Sequence, residues 1–229
     1  MFDSDRNRNN VTTIRDRVEN ILRDIPDHVT VVAAAKGTTP DQVLEAVQAG
    51  ITIVGENYFA EARRIRPLIT PPARWHFLGR LRPHDIRLAN LSSVDAIQTI
   101  DSLELARRLD DKCSKLNRVM PVYIEVNSAR EPQKAGVLPE AAESLICDMA
   151  TLTNVEIVGL MTMGPLSNSA EDYRRFFSET RQLYEHISAL GIPGVHMEQL
   201  SMGMSDSYEI AIEEGATMIR LGTILFGAN

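Results

Sequence analysis

Hydrophobic residues alternate between two spacings along the chain. Eight short apolar runs recur, each followed by a segment with helical periodicity, and they begin near Val29, Ile51, Trp75, Val94, Val119, Val155, Val195 and Thr217. Runs separated by enough residues for a loop and a helix predict parallel strands joined by helices. Eight strands close a barrel, and the glycine-rich first turn of a doubly wound sheet is absent. We therefore predict an α/β fold, a (β/α)8 TIM barrel.

Local signals mark several of the helices. Residues 11–22 carry an apolar stripe ahead of the first strand, which predicts an extra N-terminal helix. Residues 39–42 form a capping box with proline at the first helical position, and Gly50 stands where that helix should stop. The stripe over residues 173–190 predicts the longest helix, with its aromatic residues in the core. Residues 206–209 resemble a second capping box and predict another helix start.

Composition and charge exclude several classes of function. The 229 residues are 44% apolar with a mean hydropathy of −0.14, and no apolar run approaches the ~18 residues that span a bilayer. A net charge of −7 without a basic stripe predicts no nucleic-acid partner and no membrane partner. Two cysteines without CxxC spacing predict reduced thiols and a cytoplasmic protein, and five scattered histidines predict no metal. Residues 1–10 lack the apolar segment of a signal peptide and predict a disordered tail before a single domain over residues 11–229.

Functional residues of a (β/α)8 barrel follow the carboxyl ends of its strands. Lys36 directly follows the first run, residues 29–35, which ends in three alanines. One interpretation is a lysine whose charge reaches solvent at the barrel rim. The other is an amine in partly apolar surroundings, where desolvation favours the neutral nucleophile that forms a Schiff base with a carbonyl compound. His76, inside the third run, also has two interpretations: it is either a histidine packed in the core or a residue that contacts a ligand.

Two turns rich in glycine and hydroxyl groups follow the last two predicted strands. Residues 200–206 read Leu-Ser-Met-Gly-Met-Ser-Asp, and residues 220–223 read Arg-Leu-Gly-Thr. Ordinary turn chemistry accounts for such residues, but phosphate sites in barrels lie between these same two loops. The first and last strands of a closed barrel are neighbours, so a Schiff-base lysine and a phosphate site would lie close together. A phosphorylated aldehyde spans both, and pyridoxal 5'-phosphate is the obvious candidate.

The same segments strongly resemble the pyridoxal-phosphate homeostasis protein family, single-domain relatives of the alanine racemase N-terminal barrel. The resemblance covers nearly the whole chain and rests on Lys36, residues 55–58, residues 75–79, residues 127–136, residues 159–161, residues 200–206, residues 220–223 and residues 226–227. The Ser-Met-Gly-Met-Ser-Asp segment, with the Gly-Thr turn, is its most specific part. The resemblance implies a non-enzymatic carrier or buffer of the cofactor, whose partners would be pyridoxal phosphate and the apoenzymes that receive it.

The resemblance also implies roles for individual residues. Lys36 would hold the cofactor as a Schiff base, and Arg220 would face the pyridine nitrogen. The remaining positions would surround the phosphate or the ring: Ser201, Gly203, Ser205, Gly222 and Thr223 at the phosphate, with Asn57, His76 and Met161 beside the ring. The sequence departs from the family pattern at Ala35, where serine is common, and at residues 82–85, where Arg-Pro-His-Asp replaces a Gln-x-Asn-Lys pattern.

The expected arginine bears on catalysis. An arginine does not give up its proton, so Arg220 would hold the pyridine nitrogen unprotonated and weaken its electron withdrawal. Racemases of this barrel type add a second domain with a catalytic tyrosine, for which we expect no room in a chain that ends at Asn229. We therefore expect a non-enzymatic binding protein, and we separately expect a monomer. The alternatives are a pyridoxal-phosphate-dependent enzyme resembling amino-acid racemases and a cofactor-free lyase acting on a sugar phosphate.

Overall fold

Eight parallel strands close into a barrel in the computed structural model, which describes residues 13–165 and 169–227. The strands are β1 Thr30–Ala34, β2 Ile53–Glu56, β3 Arg74–Phe77, β4 Ala96–Ile100, β5 Met120–Glu125, β6 Val155–Met161, β7 Val195–Ser201 and β8 Met218–Leu221. Each strand pairs with its neighbours in sequence, and β1 also pairs with β8. The predicted (β/α)8 barrel is therefore confirmed, and every strand begins within two residues of its predicted start.

Helices alternate with these strands. They are α1 Ile14–Asp24, α2 Pro40–Gln48, α3 Phe59–Ile65, α4 Leu88–Leu91, α5 Leu103–Ser114, α6 Pro139–Met149, α7 Ala170–Leu190, α8 Tyr208–Glu213 and α9 Thr223–Phe226. The extra N-terminal helix is confirmed as α1, and the longest predicted helix is confirmed as α7. Val11 and the tail predicted at residues 1–10 lie outside the described residues.

The local start signals had different outcomes. At α2 the predicted capping box is confirmed: the Gln42 amide donates to the Thr39 hydroxyl at 3.3 Å, and the Gln42 side-chain oxygen accepts from the Thr39 amide at 2.8 Å. At α8 the predicted box over residues 206–209 does not form. The helix begins at Tyr208, and the Ser207 hydroxyl bonds backward to the Met204 amide instead of capping the helix. Residue types alone therefore misplaced this cap, because the serine has a competing turn partner.

The hydrophobic core has two layers separated by the barrel wall. A small cluster fills the barrel interior and consists of Val32, Ile53, Ala96, Tyr123, Met161 and Met218. A larger cluster lies between the outer face of the strands and the helices. Burial on both faces explains why the strands read as nearly continuous apolar runs.

Helix α1 joins this outer layer. Its apolar residues Ile14, Val18 and Ile21 are buried in the larger cluster, and the helix packs against α2 and α9. The Arg17 side chain donates to the carbonyl of Leu225 at 2.6 Å, which connects the two ends of the described barrel. In the part of the chain that the structure describes, no helix is long and apolar enough to cross a membrane.

Candidate functional site

A cavity of about 640 Å³ opens at the carboxyl ends of the strands. This volume lies within the range of small-molecule sites, about 300–1,000 Å³. Loops after six of the eight strands contribute to its lining, which consists of Ala34, Lys36, Thr38, Asn57, Leu78, Met163, Met204, Ser205, Asp206, Arg220, Gly222, Thr223, Phe226 and Gly227. The candidate site therefore lies at the barrel face that the sequence indicated.

Six of the ten predicted site residues line this cavity: Lys36, Asn57, Ser205, Arg220, Gly222 and Thr223. Strand β1 ends at Ala34 rather than Ala35, so the lysine lies in a turn. The turn is fixed because the Ala35 carbonyl accepts the Thr38 amide at 3.1 Å and the Thr38 hydroxyl at 2.8 Å. Gly37 has a φ of +75°, a left-handed conformation that glycine adopts without strain. The Lys36 side chain is exposed beside apolar groups of the cavity.

Ser205 joins the loops after β7 and β8. Its hydroxyl oxygen accepts hydrogen bonds from the backbone amides of Gly222 at 3.2 Å and Ile224 at 3.3 Å. The hydroxyl hydrogen of Ser205 can then be directed toward the cavity, since both bonds use oxygen lone pairs. The exposed side chain of Thr223 lies beside it on the same lining. The two loops thus bring two of the three predicted hydroxyl groups, those of Ser205 and Thr223, to one cavity.

The other four predicted residues are not among those that line the cavity. His76 and Met161 are buried inside the barrel wall, and Ser201 is completely enclosed. Gly203 has a φ of +92°, and a Cβ atom there would meet the Cβ of Ala211 at 2.5 Å. Its carbonyl accepts the backbone amide of Arg220 at 3.0 Å. Ser201 and Gly203 therefore act on the cavity through Arg220, which lines it and contacts both.

Arg220 is the buried cation of the site. Its Nη1 donates to the Ser201 hydroxyl at 2.8 Å, and its Nη2 donates to the Thr162 carbonyl at 2.8 Å and contacts the Met163 sulfur at 3.6 Å. Burial lowers the pKa of the Arg220 guanidinium to about 10, against the opposing attraction of Glu125. The side chain remains cationic at neutral pH. Its described partners use three of five N–H groups, which leaves donors that can face a ligand.

Gln98 is a functional candidate that sequence reasoning missed. Its side-chain oxygen accepts from the Ser201 hydroxyl at 2.8 Å, and its Nε2 donates to His76 Nδ1 at 2.9 Å. A continuous hydrogen-bond chain therefore crosses the barrel interior from His76 through Gln98 and Ser201 to Arg220. Burial lowers the pKa of His76 to about 4, so this imidazole is neutral at physiological pH. The signal in the sequence was a side-chain amide between apolar residues of the fourth run, at a position where the strand was expected to be buried.

Two buried carboxyl groups also lacked an assignment from the sequence. Glu56 ends β2, and neither of its carboxyl oxygens has a hydrogen-bond partner among the described residues. Burial raises the pKa of Glu56 to about 8, aided by nearby Glu61, while the Asn57 amide and Arg64 act in the opposite direction. Burial likewise raises the pKa of Glu125 to about 7, with Asp101 adding to the effect. In the sequence, both glutamates stand at the carboxyl end of a predicted strand, and this position could have marked them as candidate site residues.

The two departures from the family pattern lie outside the cavity lining. Ala35 is buried in the outer core cluster. Arg82 and His84 line a separate groove beside the cavity. Within residues 13–165 and 169–227, no group of three or more His, Cys, Asp or Glu side chains is arranged to hold a metal ion.

Comparison with known proteins identifies the relatives of this chain. A family model described as the alanine racemase N-terminal domain matches residues 2–229. A pyridoxal phosphate homeostasis protein of Aquifex aeolicus (strain VF5) is 36% identical over 197 residues, covering 86% of this chain and 85% of that protein.

A solved structure gives the same result. PipY of Synechococcus elongatus PCC7942 without PLP has a TM-score of 0.88 and 32% sequence identity, covering 94% of this chain and 100% of that one. The structure of PipY with PLP bound has a TM-score of 0.86 and 30% identity over 94% of this chain and 100% of that one. Together with the match along residues 2–229, these similarities show that the chain belongs to the pyridoxal phosphate homeostasis protein family, whose barrel is that of the alanine racemase N-terminal domain.

Proposed function

We propose that this protein binds pyridoxal 5'-phosphate and acts as a non-enzymatic carrier or buffer of that cofactor inside the cell. The observation that carries the proposal is one cavity of about 640 Å³ lined by an amine, hydroxyl groups and a buried guanidinium. Lys36 supplies the amine, Ser205 and Thr223 the hydroxyl groups, and Arg220 the guanidinium. Family membership and the PLP-bound structure of PipY support the same ligand.

The lining residues fit the chemical parts of this ligand. The Lys36 amine would condense with the aldehyde, forming a C=N bond and releasing water. Ser205 and Thr223 would donate hydrogen bonds to the phosphate, which carries the charge that makes such bonds strong. The cavity wall also includes Leu78, Met163 and Phe226, whose apolar surfaces suit a flat aromatic ring. Asn57 lines the same cavity and can contact that ring.

The charged residues of the cavity favour binding over turnover. Bound pyridoxal phosphate supplies an electron sink, most strongly when its pyridine nitrogen is protonated. Arg220 remains cationic and donates hydrogen bonds, so it would favour an unprotonated nitrogen. Among the described residues of the lining, the titratable groups are Lys36, Asp206 and Arg220. Asp206 already accepts from the Tyr173 hydroxyl at 3.4 Å. The set includes no histidine or tyrosine suited to general acid–base work at neutral pH.

Covalent mapping tests the role of Lys36. We expect a yellow protein after incubation with pyridoxal phosphate, and borohydride reduction followed by peptide mass mapping should place the pyridoxyl adduct on Lys36. The Lys36→Ala variant should fold normally and lose the adduct, whereas Lys112→Ala, which removes a lysine on α5, should retain it. An adduct on Lys112, Lys115 or Lys134 in the unmodified protein contradicts the assignment.

The phosphate contacts are tested by changing Thr223, whose exposed side chain lies on the cavity lining. A hydrogen bond to a charged group contributes ~1.5–3 kcal/mol, so Thr223→Val should weaken pyridoxal phosphate binding about 10- to 100-fold. The same variant should leave the weaker binding of pyridoxal, which lacks the phosphate, unchanged. Equal affinities of the unmodified protein for the two compounds contradict the proposed phosphate contacts.

Two further assays separate a carrier from an enzyme. Loaded protein should transfer its cofactor to a pyridoxal-phosphate-requiring apoenzyme and restore its activity. It should not exchange the α-hydrogen of amino acids with deuterated solvent above the rate of free cofactor. Sustained exchange at enzymatic rates supports the racemase-like alternative instead. The expected monomeric state is a separate prediction that sedimentation measurements can test.

A further inference from the structure

A second concave site lies beside the cavity on the far side of Asn57. This groove has a volume of about 500 Å³ and is lined by residues of α3, the loop after β3 and the segment leading into α4. We call it the arginine groove and define it by Arg63, Arg80, Arg82, His84 and Arg87. Asn57 lines both spaces and therefore forms part of the partition between them.

The arginine groove concentrates positive charge in a chain whose net charge is −7. Asp85 is the carboxylate among its lining residues, and it is already engaged. One of its oxygens accepts the backbone amide of Arg82 at 3.1 Å, and the other lies 3.6 Å from the His84 ring. The residues that line the groove therefore include four guanidinium groups and one carboxylate, which is an excess of positive charge.

Two of these arginines are held in place, and two are available to a ligand. The Arg63 side chain donates to the Asn90 side chain at 2.6 Å, and the Arg87 side chain donates to the carbonyl of His84 at 2.7 Å. In the described part of the chain, neither Arg80 nor Arg82 forms a direct ion pair, although Arg80 lies close enough to Glu125 to lower the pKa of that carboxyl. Asp101 and Glu104 flank these two on another side, and Glu104 is paired with Arg108.

The walls of the groove indicate the form of a ligand. Tyr58 is 60% exposed at its edge and offers an aromatic surface. Beneath it, the rings of Phe59 and Phe77 stack at 3.9 Å, giving a rigid apolar base. Gly79 lets the loop after β3 pack directly on the backbone of Asn57, because a Cβ there would lie 2.2 Å from the Asn57 carbonyl oxygen. The groove is thus a shaped pocket of small-molecule size.

We propose that the arginine groove binds the dianionic phosphate of a small phosphate monoester, at a site separate from the cavity. Guanidinium groups match phosphate oxygens with paired hydrogen bonds and remain charged, and several around one concave site favour a compact dianion. Arg80 and Arg82 contact the phosphate, while Tyr58 covers an organic group attached to it. The inference stands on these residues and does not depend on what the cavity holds.

Site-resolved NMR tests this proposal with phenyl phosphate as the probe. Titration should shift the backbone amides of Tyr58, Gly79 and Arg80, and this response is distinct from any response of the cavity amides of Gly222 and Ile224. Arg80→Gln and Arg82→Gln should each raise the dissociation constant at the groove about 10- to 100-fold. Arg175→Gln, which removes an exposed arginine on α7, is the matched control and should leave it unchanged.

Other outcomes overturn the proposal in different ways. Dissociation constants within twofold of the unmodified protein in both groove variants, with folding intact, show that these arginines bind no phosphate. Shifts confined to Gly222 and Ile224 place the probe in the cavity alone. Equal affinity for phenyl sulfate, which carries one charge fewer, shows a general anion site. Tighter, Arg80-dependent binding of a single-stranded oligonucleotide identifies a nucleic-acid surface.

Discussion

Removing the hydroxyl of Ser201 tests whether a buried hydrogen-bond chain supports Arg220. This hydroxyl accepts from Arg220 Nη1 and donates to the Gln98 side-chain oxygen, both at 2.8 Å. All three side chains are buried, so water cannot easily replace the lost oxygen. The Ser201→Ala variant therefore leaves a charged donor and an amide acceptor each short of a partner.

The cost follows from these two contacts. A hydrogen bond to a charged group contributes about 1.5–3 kcal/mol, and a neutral one about 0.5–1.5 kcal/mol. We expect Ser201→Ala to lower the free energy of unfolding by roughly 2–4 kcal/mol, a large part of the ~5–15 kcal/mol that typically stabilises a protein. The substitution removes only one oxygen atom, so the cavity it creates adds little.

Urea unfolding of the ligand-free protein measures this change. Ser92→Ala is the matched control, because Ser92 is exposed and its hydroxyl donates to the Leu88 carbonyl at 2.9 Å. Its cost should stay within about 0.5 kcal/mol, as for most surface substitutions. If Ser201→Ala costs no more than Ser92→Ala, the chain from Gln98 to Arg220 does not hold the guanidinium, and the argument is refuted.

Two further substitutions test the buried groups near the site. Because the folded-state pKa of Glu56, about 8, exceeds its ordinary value of 4.5, the folded state binds the extra proton between these pH values and loses stability as pH rises. Glu56→Gln should flatten that decline in urea unfolding measured from pH 5 to pH 8, and unchanged slopes would contradict the burial argument. Gly203→Ala should lower the free energy of unfolding by about 1–3 kcal/mol, because its φ is +92° and the Cβ of Ala211 occupies the space that the new methyl group needs. A thermal unfolding midpoint equal to that of the unmodified protein would show that the segment can move aside.

The strands were predictable because their signal is local. A continuous apolar run followed by a helical segment can be recognised from residues that are close together in the chain. Burial on both faces of a parallel strand produces such a run. The capping box at Thr39 was predictable for the same reason, since both partners lie within one helical turn. In contrast, the start of α8 was not predictable, because the Ser207 hydroxyl accepts a hydrogen bond from the Met204 amide in the preceding turn instead of capping the helix.

Depth within the site was not predictable from the sequence. Ser201 and Ser205 belong to one short segment, yet β7 ends at Ser201, so the strand directs that hydroxyl into the barrel. Ser205 lies in the loop beyond and reaches the backbone after β8. The position of the strand end, set by pairing with residues far along the chain, therefore separates two serines of identical chemistry.

The groove escaped prediction for a related reason. Arg80, Arg82 and Arg87 lie in one short segment after β3, which was a local signal of positive charge. Arg63 lies on α3, and only the packing of neighbouring βα units brings its guanidinium to the same space. A net negative charge for the whole chain gave no indication of this local excess, because acidic residues elsewhere outweigh it.

The environment of Arg220 gives a physical reason for the proposed function, in which the site binds the cofactor more readily than it reacts with it. A buried cation is costly to desolvate unless hydrogen bonds compensate, and here Ser201, the Thr162 carbonyl and the Met163 sulfur supply them. The groups that accept hydrogen bonds from the guanidinium are neutral, and the attraction of nearby Glu125 helps to keep it protonated. The group therefore stays charged and fixed beside the cavity, able to donate hydrogen bonds but unable to exchange protons at neutral pH. Under the proposed function, a site built around such a donor would favour a stable complex with the cofactor, which is the property that a carrier requires.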